Sequence, residues 1–261
     1  MREDKELKVG KHTFKSRLFT GTGKYATFQL MKDALAESES ELVTFAVRRV
    51  NIDNPNEESL LDYLDRSKFT LLPNTAGCAT VDEAVRVANI ARAAGFSDLV
   101  KLEVINDPET LLPDVVGTIE ATRVLAADGF TVMPYTTGDP VVAKKLIDAG
   151  AAAVMPLASP IGSGQGFIDF TYIKLIIKRF GGIVPIVVDA GLGVPSDAAQ
   201  AMELGADAVL INTAIAKADD PVAMARAMKL GVQAGRLAYL AGRIAKTEIA
   251  SPSSPVEGVI K

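Results

Sequence analysis

The sequence predicts an α/β fold, a (β/α)8 TIM barrel in a single domain with a short N-terminal hairpin, and three observations carry that expectation. Strand-like apolar runs alternate with helical patterns along almost all of the 261 residues. The units number eight in about 250 residues, which is the count that closes such a barrel. Glycines stop several helices just before the next strand, at Gly95, Gly129, Gly150 and Gly205, where a left-handed cap is wanted. Parallel neighbours need a crossover, so strand, helix, strand at this spacing reads as a βαβ unit. A doubly wound open sheet is the competitor, but no GxGxxG fingerprint follows the first strand.

In chain order, LKVGKHTFKSRLF is expected to form a hairpin closing the barrel bottom, with His12 inert within it. The first strand, Leu18–Gly21, precedes a helix over TFQLMKDALAE; the second, Leu42–Val50, precedes one over EESLLDYLDRS. Phe69–Asn74 leads to TVDEAVRVANIARAAG, Leu99–Ile105 to TIEATRVLAADG, and Thr131–Tyr135 to DPVVAKKLIDAG. Ala152–Leu157, Val184–Asp189 and Ala208–Asn212 complete the set, with helices over TYIKLIIKRFGG, PSDAAQAMELG and PVAMARAMKLGVQAGRLAYLAGR. The last of these carries an ordinary core-facing stripe of Met and Ala. The catalytic barrel is expected over 1–244, and 245–261, rich in Ser and Pro, as a flexible C-terminal tail.

Composition excludes several classes. A formal charge of −4 leaves no footprint for nucleic acid. No apolar run approaches the roughly 20 residues of a membrane span, and MREDKELK is unlike a signal peptide. One cysteine permits no internal disulfide, so the cytoplasm is the expected setting. With a single His and a single Cys, a Cys/His zinc cage within one chain is excluded as well.

The stretch LVKLEVI, 99–105, carries the first chemistry. Val100, Leu102 and Val104 share one strand face; Leu99, Lys101, Glu103 and Ile105 share the other. Both faces of a barrel strand are covered, and the apolar face suits the helices better, so Lys101 and Glu103 point inward. Desolvation should lower the pKa of an interior lysine and favour its neutral amine, a nucleophile toward ketones. The alternative is an internal Lys101–Glu103 ion pair that fills a layer of the barrel, a costly arrangement to desolvate.

A second cluster is SPIGSGQG, 159–166, after the sixth strand, where glycines let backbone N–H groups approach an anion. By motif alone it is equally a glycine-rich loop with no ligand. The next two strands end in VVDAGLGVPSD and VLINTAIA, which places Asp189 at the mouth and Asn212–Thr213 beside it. Barrel phosphate sites recur in the loops after strands seven and eight, so three such loops favour a phosphorylated ligand. Asp189 alone reads as a cap; beside an interior Lys it becomes a proton-transfer group. Cys78 is expected as a buried packing thiol. Arg48 and Arg49 are unusual at a strand end and could bind an anion or support an interface.

Taken together, GTGKY (21–25), TFAVRRVN (44–51), LLPNTAGC (71–78), VKLEVI (100–105), PLASPIGSGQG (156–166), VDAGLGVPSDAAQAMELGAD (188–207), LINTAIA (210–216) and MARAMKLGVQAGRLAYLAGRI (224–244) resemble the thiazole synthase family of bacterial thiamin biosynthesis. The resemblance implies a homotetrameric transferase that makes the thiazole phosphate carboxylate without a metal or organic cofactor. It implies three substrates: 1-deoxy-D-xylulose 5-phosphate, dehydroglycine, and a ubiquitin-like sulfur-carrier protein with a C-terminal thiocarboxylate. The family's Schiff-base lysine falls on Lys101 and its carboxylates on Glu103 and Asp189. Its sugar-phosphate contacts fall on Gly162, Ala190, Gly191, Asn212 and Thr213. Gly21–Lys24 and Arg48–Arg49 are expected to wall the channel for the carrier's tail. Departures are Gly138 in YTTGDP, the longer loop ESESE (37–41) and the long tail. Without the carrier, the same interior Lys and phosphate loops would suit a class I aldolase or a pyridoxal phosphate-forming lyase. Without turnover, they would suit a barrel that binds a phosphorylated metabolite as a scaffold.

Overall fold

The computed structural model describes residues 3–50 and 58–254. The chain opens with an antiparallel hairpin of β1 (Leu7–Val9) and β2 (His12–Phe14), in which Leu7 faces Phe14. Parallel strands follow: β3 (Leu18–Gly21), β4 (Leu42–Ala46), β5 (Thr70–Asn74), β6 (Leu99–Leu102), β7 (Thr131–Thr136), β8 (Met155–Pro156), β9 (Val187–Asp189) and β10 (Ala208–Ile211). They hydrogen-bond in the order β8-β7-β6-β5-β4-β3-β10-β9. Parallel bridges between Val154 and Ile186, and between Leu157 and Asp189, join the two ends. The sheet is a closed (β/α)8 barrel, as expected.

The helices between them are α1 (Phe28–Ser38), α2 (Val81–Ala93), α3 (Val115–Ala127), α4 (Pro140–Asp148), α5 (Thr171–Phe180), α6 (Pro195–Leu204), α7 (Thr213–Ala216) and α8 (Pro221–Ala241). Side chains of Thr27, Thr80, Asp114, Asp139 and Asp220 cap five of these helices at their N-termini, each accepting from backbone N–H groups of the first turn. At the other ends Gly95, Gly129, Gly150 and Gly205 all have positive φ, as the caps require. Among the described residues no helix is long and apolar enough to cross a membrane.

Several expected elements are shorter than their sequence patterns, four of them for a local reason. The strand expected over 42–50 stops at Ala46, the last residue laddered to β5, and Val47–Arg49 wind into a 3-10 turn. The strand expected over 99–105 stops at Leu102 because its backbone donors turn aside: Glu103 N–H goes to Thr75 Oγ1 (2.8 Å) and Ile105 N–H to the Cys78 carbonyl (2.9 Å). In the sixth unit Pro156, which has no N–H to donate, leaves β8 only two residues long. The helix expected over 57–67 forms only a 3-10 turn, Leu60–Tyr63. Asp65 Oδ1 takes both the N–H and the hydroxyl of Ser67 (3.0 and 2.6 Å), which reverses the chain toward β5. Glu57 of that segment lies outside the described residues. So do 255–261 of the expected tail, whose described part, 242–254, contains no helix or strand.

The core is layered. Phe19, Leu42, Leu72, Leu99, Met133, Val187 and Leu210 fill the barrel interior together with Leu7, Val9 and Phe14 of the hairpin. Phe14 packs edge-on against Phe19, with ring centroids 5.3 Å apart, and the hairpin plugs the bottom. His12 sits there with Nε2 3.2 Å from Asp98 Oδ1. On the outer face Val100, Leu102 and Val104 pack with Ala84, Ala88, Ala121 and Leu125 of α2 and α3. That packing forces Leu99, Lys101 and Glu103 to face inward.

Candidate active site

One step up each strand, the apolar interior layer becomes polar. Two residues beyond Phe19, Leu42, Leu72, Leu99, Val187 and Leu210 stand Gly21, Thr44, Asn74, Lys101, Asp189 and Asn212. These positions are the C-terminal ends of the strands, where barrels of this kind place their chemistry. Lys101, Glu103 and Asp189 are 5%, 6% and 3% exposed. Lys101 Nζ lies 2.6 Å from Asp189 Oδ2 and 3.5 Å from Glu103 Oε1. The three candidate catalytic groups therefore meet.

Their supports are local. Asp189 Oδ1 accepts from Ala190 N–H at 2.7 Å, which holds the carboxylate. Asp189 Oδ2 touches Lys101 as an ion pair without an aligned hydrogen bond. Thr75, fully buried, clamps the Glu103 backbone twice: its hydroxyl accepts from Glu103 N–H (2.8 Å) and donates to the Glu103 carbonyl (2.7 Å). The Tyr135 ring lies 5.9 Å from Lys101 Nζ. The sequence reading passed over Thr75 and Tyr135. Tyr135 was findable, since it stands two residues beyond the interior Met133; Thr75 was not, since its bond crosses to another strand.

The electrostatics correct one expectation. Burial pushes the Lys101 pKa down, but the charge of Asp189 and then that of Glu103 outweigh it, and the pKa is raised. The resting side chain is thus an ammonium rather than the expected neutral amine. Glu103 is also raised: burial drives it up, Lys101 opposes, and Asp189 adds to the rise. Cys78 is a buried packing thiol, as expected, and burial pushes its pKa up to about 11.

The mouth loops are zipped together. Gly166 N–H donates to the Gly191 carbonyl at 2.8 Å, and Ala158 N–H to the Asp189 carbonyl at 3.1 Å. Gly162, Gly164 and Gly191 have φ of +76°, +64° and +77°, and Ala190 adopts +59°, a conformation rare for a residue with a side chain. A Cβ on Gly191 would fall 1.9 Å from Ser159 Oγ, so only glycine fits. Asn212 packs its side chain under Gly21, and its Oδ1 is buried without a hydrogen-bond partner. A Cβ on Gly162 would stand 3.8 Å from Thr213 Oγ1. The five expected phosphate residues thus lie on neighbouring loops at one rim. Opposite them, Arg48 lays its guanidinium on Gly77, whose Cβ would fall 1.8 Å from Nη1.

Comparison with known proteins decides the kinship. The family model described as thiazole biosynthesis protein ThiG matches residues 8–255. The chain belongs to the ThiG family. A thiazole synthase from Geotalea uraniireducens (strain Rf4) is 57% identical over 262 residues, covering 100% of both chains. One from Bacillus subtilis (strain 168) is 54% identical over 97% of this chain and 98% of its own. Among solved structures, a chain of the Amycolatopsis orientalis BexX/CysO complex superimposes with TM-score 0.82 at 34% identity, covering 93% of this chain and 98% of that one. Thiamine phosphate pyrophosphorylase from Pyrococcus furiosus, at 14% identity and TM-score 0.56 over 84% of this chain and 96% of its own, shares the fold alone. The family assigns the chain to thiazole biosynthesis as an enzyme.

Proposed function

We propose that the protein makes the thiazole phosphate carboxylate of thiamin from 1-deoxy-D-xylulose 5-phosphate, dehydroglycine and a thiocarboxylated ubiquitin-like carrier, through a Schiff base on Lys101. The observation that carries this reading is the Lys101 amine, enclosed in the barrel between two carboxyl groups at 2.6 and 3.5 Å. A lysine able to reach a ketone there, with proton acceptors in contact, suits imine chemistry.

Because Lys101 rests as an ammonium, the first event is proton transfer to Asp189, the nearer carboxylate. The freed amine adds to the C2 ketone, and water leaves as the imine forms. Glu103, its pKa raised by burial, supplies a proton to the departing oxygen. Imine–enamine tautomerisation then moves carbonyl character to C3. The carrier's thiocarboxylate sulfur attacks C3, and the C3 oxygen takes over the carrier's acyl group and departs with it as the free carboxylate. A second water leaves, and dehydroglycine condenses to close the ring as its nitrogen displaces Lys101 from C2. The loops bearing Gly162, Ala190, Gly191, Asn212 and Thr213 hold the phosphate throughout. No metal or organic cofactor enters this scheme.

A relative solved as a complex of two proteins supports a protein partner at this fold. Exposed Tyr172 and Leu175 on α5, with Leu230 and Leu237 on α8, suit self-association, which the family resemblance sets at a homotetramer. The cytoplasm fits the lone, buried thiol of Cys78.

Borohydride reduction in the presence of the sugar phosphate tests the centre of the reading. Mass spectrometry should place a single sugar adduct on Lys101, and Lys101→Ala or Lys101→Arg should abolish it, since Arg stays protonated. An adduct on Lys24 or Lys144 would overturn the assignment.

A further inference from the structure

Lys24 lies in the loop after β3, at φ +71°, the left-handed region that side chains seldom enter. Although the residue is exposed, its ammonium is turned back over the mouth. A Cβ built on Gly162 would stand 3.1 Å from Lys24 Nζ and 3.8 Å from Thr213 Oγ1. The ammonium and the threonine hydroxyl thus flank the same glycine. Among the described residues Lys24, like several other exposed lysines, makes no ion pair. The backbone N–H groups of Gly162, Gly164 and Gly191 donate no hydrogen bond among the described residues. An unpaired cation and unpaired donors therefore converge on one rim.

Charge balance points the same way. The interior already sets Asp189 against the single ammonium of Lys101, which leaves no spare cation there for an anion. A phosphate monoester brings about −1.5 to −2 more at neutral pH. Backbone dipoles contribute only partial charges. Of the mouth cations, Arg48 is committed to the opposite rim against Gly77, and Arg49 stands with Asn212 beside Gly23, 3.7 Å and 3.1 Å from where its Cβ would be. Lys24 is the full charge standing at the glycine loop.

We propose that Lys24 is a phosphate ligand, reaching across the mouth from the loop after β3 to the loop after β8, and that it sets the preference for a phosphorylated sugar over a free one. This deepens the function proposed above and rests on it. It also moves Lys24 out of the carrier channel in which the sequence placed it.

Calorimetric titration with inorganic phosphate, 1-deoxy-D-xylulose 5-phosphate and unphosphorylated 1-deoxy-D-xylulose tests the proposal on wild type and on Lys24→Gln, Lys24→Arg and Lys24→Gly. Lys24→Gln should weaken both phosphate-bearing ligands by about tenfold or more, leave the free sugar unchanged, and flatten the salt dependence. Lys24→Arg should keep most of the affinity. Lys24→Gly should weaken phosphate as Gln does while raising the melting temperature, because glycine adopts this φ freely. That split separates ligation from a structural role. Equal phosphate affinity in wild type and Lys24→Gln, equal losses for free and phosphorylated sugar, or no phosphate binding by wild type would each overturn the proposal. A loss confined to sulfur transfer from the carrier would return Lys24 to the channel and overturn it too. Phosphate binding needs no imine, so failure of the Schiff-base reading shows separately, as a missing adduct on Lys101.

Discussion

At the scale of single residues, the two carboxyl groups beside Lys101 are not equivalent, and their variants should differ. Asp189 is the main charge that holds Lys101 protonated against burial. Asp189→Asn leaves burial opposed by Glu103 alone, so the Lys101 pKa should fall. The pH profile of borohydride trapping should then move to lower pH, even as thiazole turnover drops by about 10²–10⁴-fold. A profile that stays put would remove Asp189 from control of the amine. For Glu103 burial raises the folded pKa above the ordinary carboxyl value of 4.5. Its stabilising contribution is present below that value and is lost as pH rises through the folded one. Glu103→Gln should therefore gain thermal stability over wild type as pH rises above the ordinary carboxylate range into the neutral range, while losing turnover. Parallel melting curves across that range check the sign.

Among elements, the loops after β8 and β9 matter most, because each is shaped by the other. Gly191→Ala would put a Cβ 1.9 Å from Ser159 Oγ and 2.6 Å from its carbonyl oxygen, at a φ of +77°. Backbone must shift, at about 1–3 kcal/mol, and both melting temperature and sugar-phosphate affinity should fall. Gly162→Val meets less, since its Cβ would touch only side-chain atoms, the nearest being the flexible end of Lys24 3.1 Å away, but a β-branched residue is strained at φ +76°. It should lower the melting temperature by the strain of that φ alone and lose phosphate affinity, because the side chain blocks the anion's approach. If Gly162→Val bound the sugar phosphate normally, the phosphate would not sit on this loop.

Across the whole molecule, the barrel separates two rims around one buried amine. Gly162, Ala190, Gly191, Asn212 and Thr213 stand at one; Arg48, after β4, lies at the other, near enough to act on Glu103, while Arg49 turns toward Gly23 and Asn212. Arg48→Glu should impair sulfur transfer from the carrier while leaving sugar trapping at Lys101 intact, through attraction that weakens with salt. Loss of both activities together, or of neither, would show that this rim is not a separate path for the carrier's tail.

Strand order, barrel class and the inward direction of Lys101 were legible in the chain because alternation is a local property. Val100, Leu102 and Val104 can face only the helices, and that fixes where Lys101 and Glu103 point. Asp189 and the glycine loops were legible for the same reason: each closes an apolar run at a strand end. Where strands stop was not legible, since β6 ends at a hydroxyl, Thr75, supplied by the preceding unit. Nor was the helix lost before β5, which depends on one carboxylate capturing Ser67. The charge state of Lys101 was misread from the sequence because it depends on Asp189, 88 positions away, coming within 2.6 Å. Likewise the reach of Lys24 to Gly162 exists only once the ring has closed and the first and sixth strand ends share a mouth. Periodicity assigns a side chain to a face, but distances between faces come from closure of the sheet, and electrostatics follows distance.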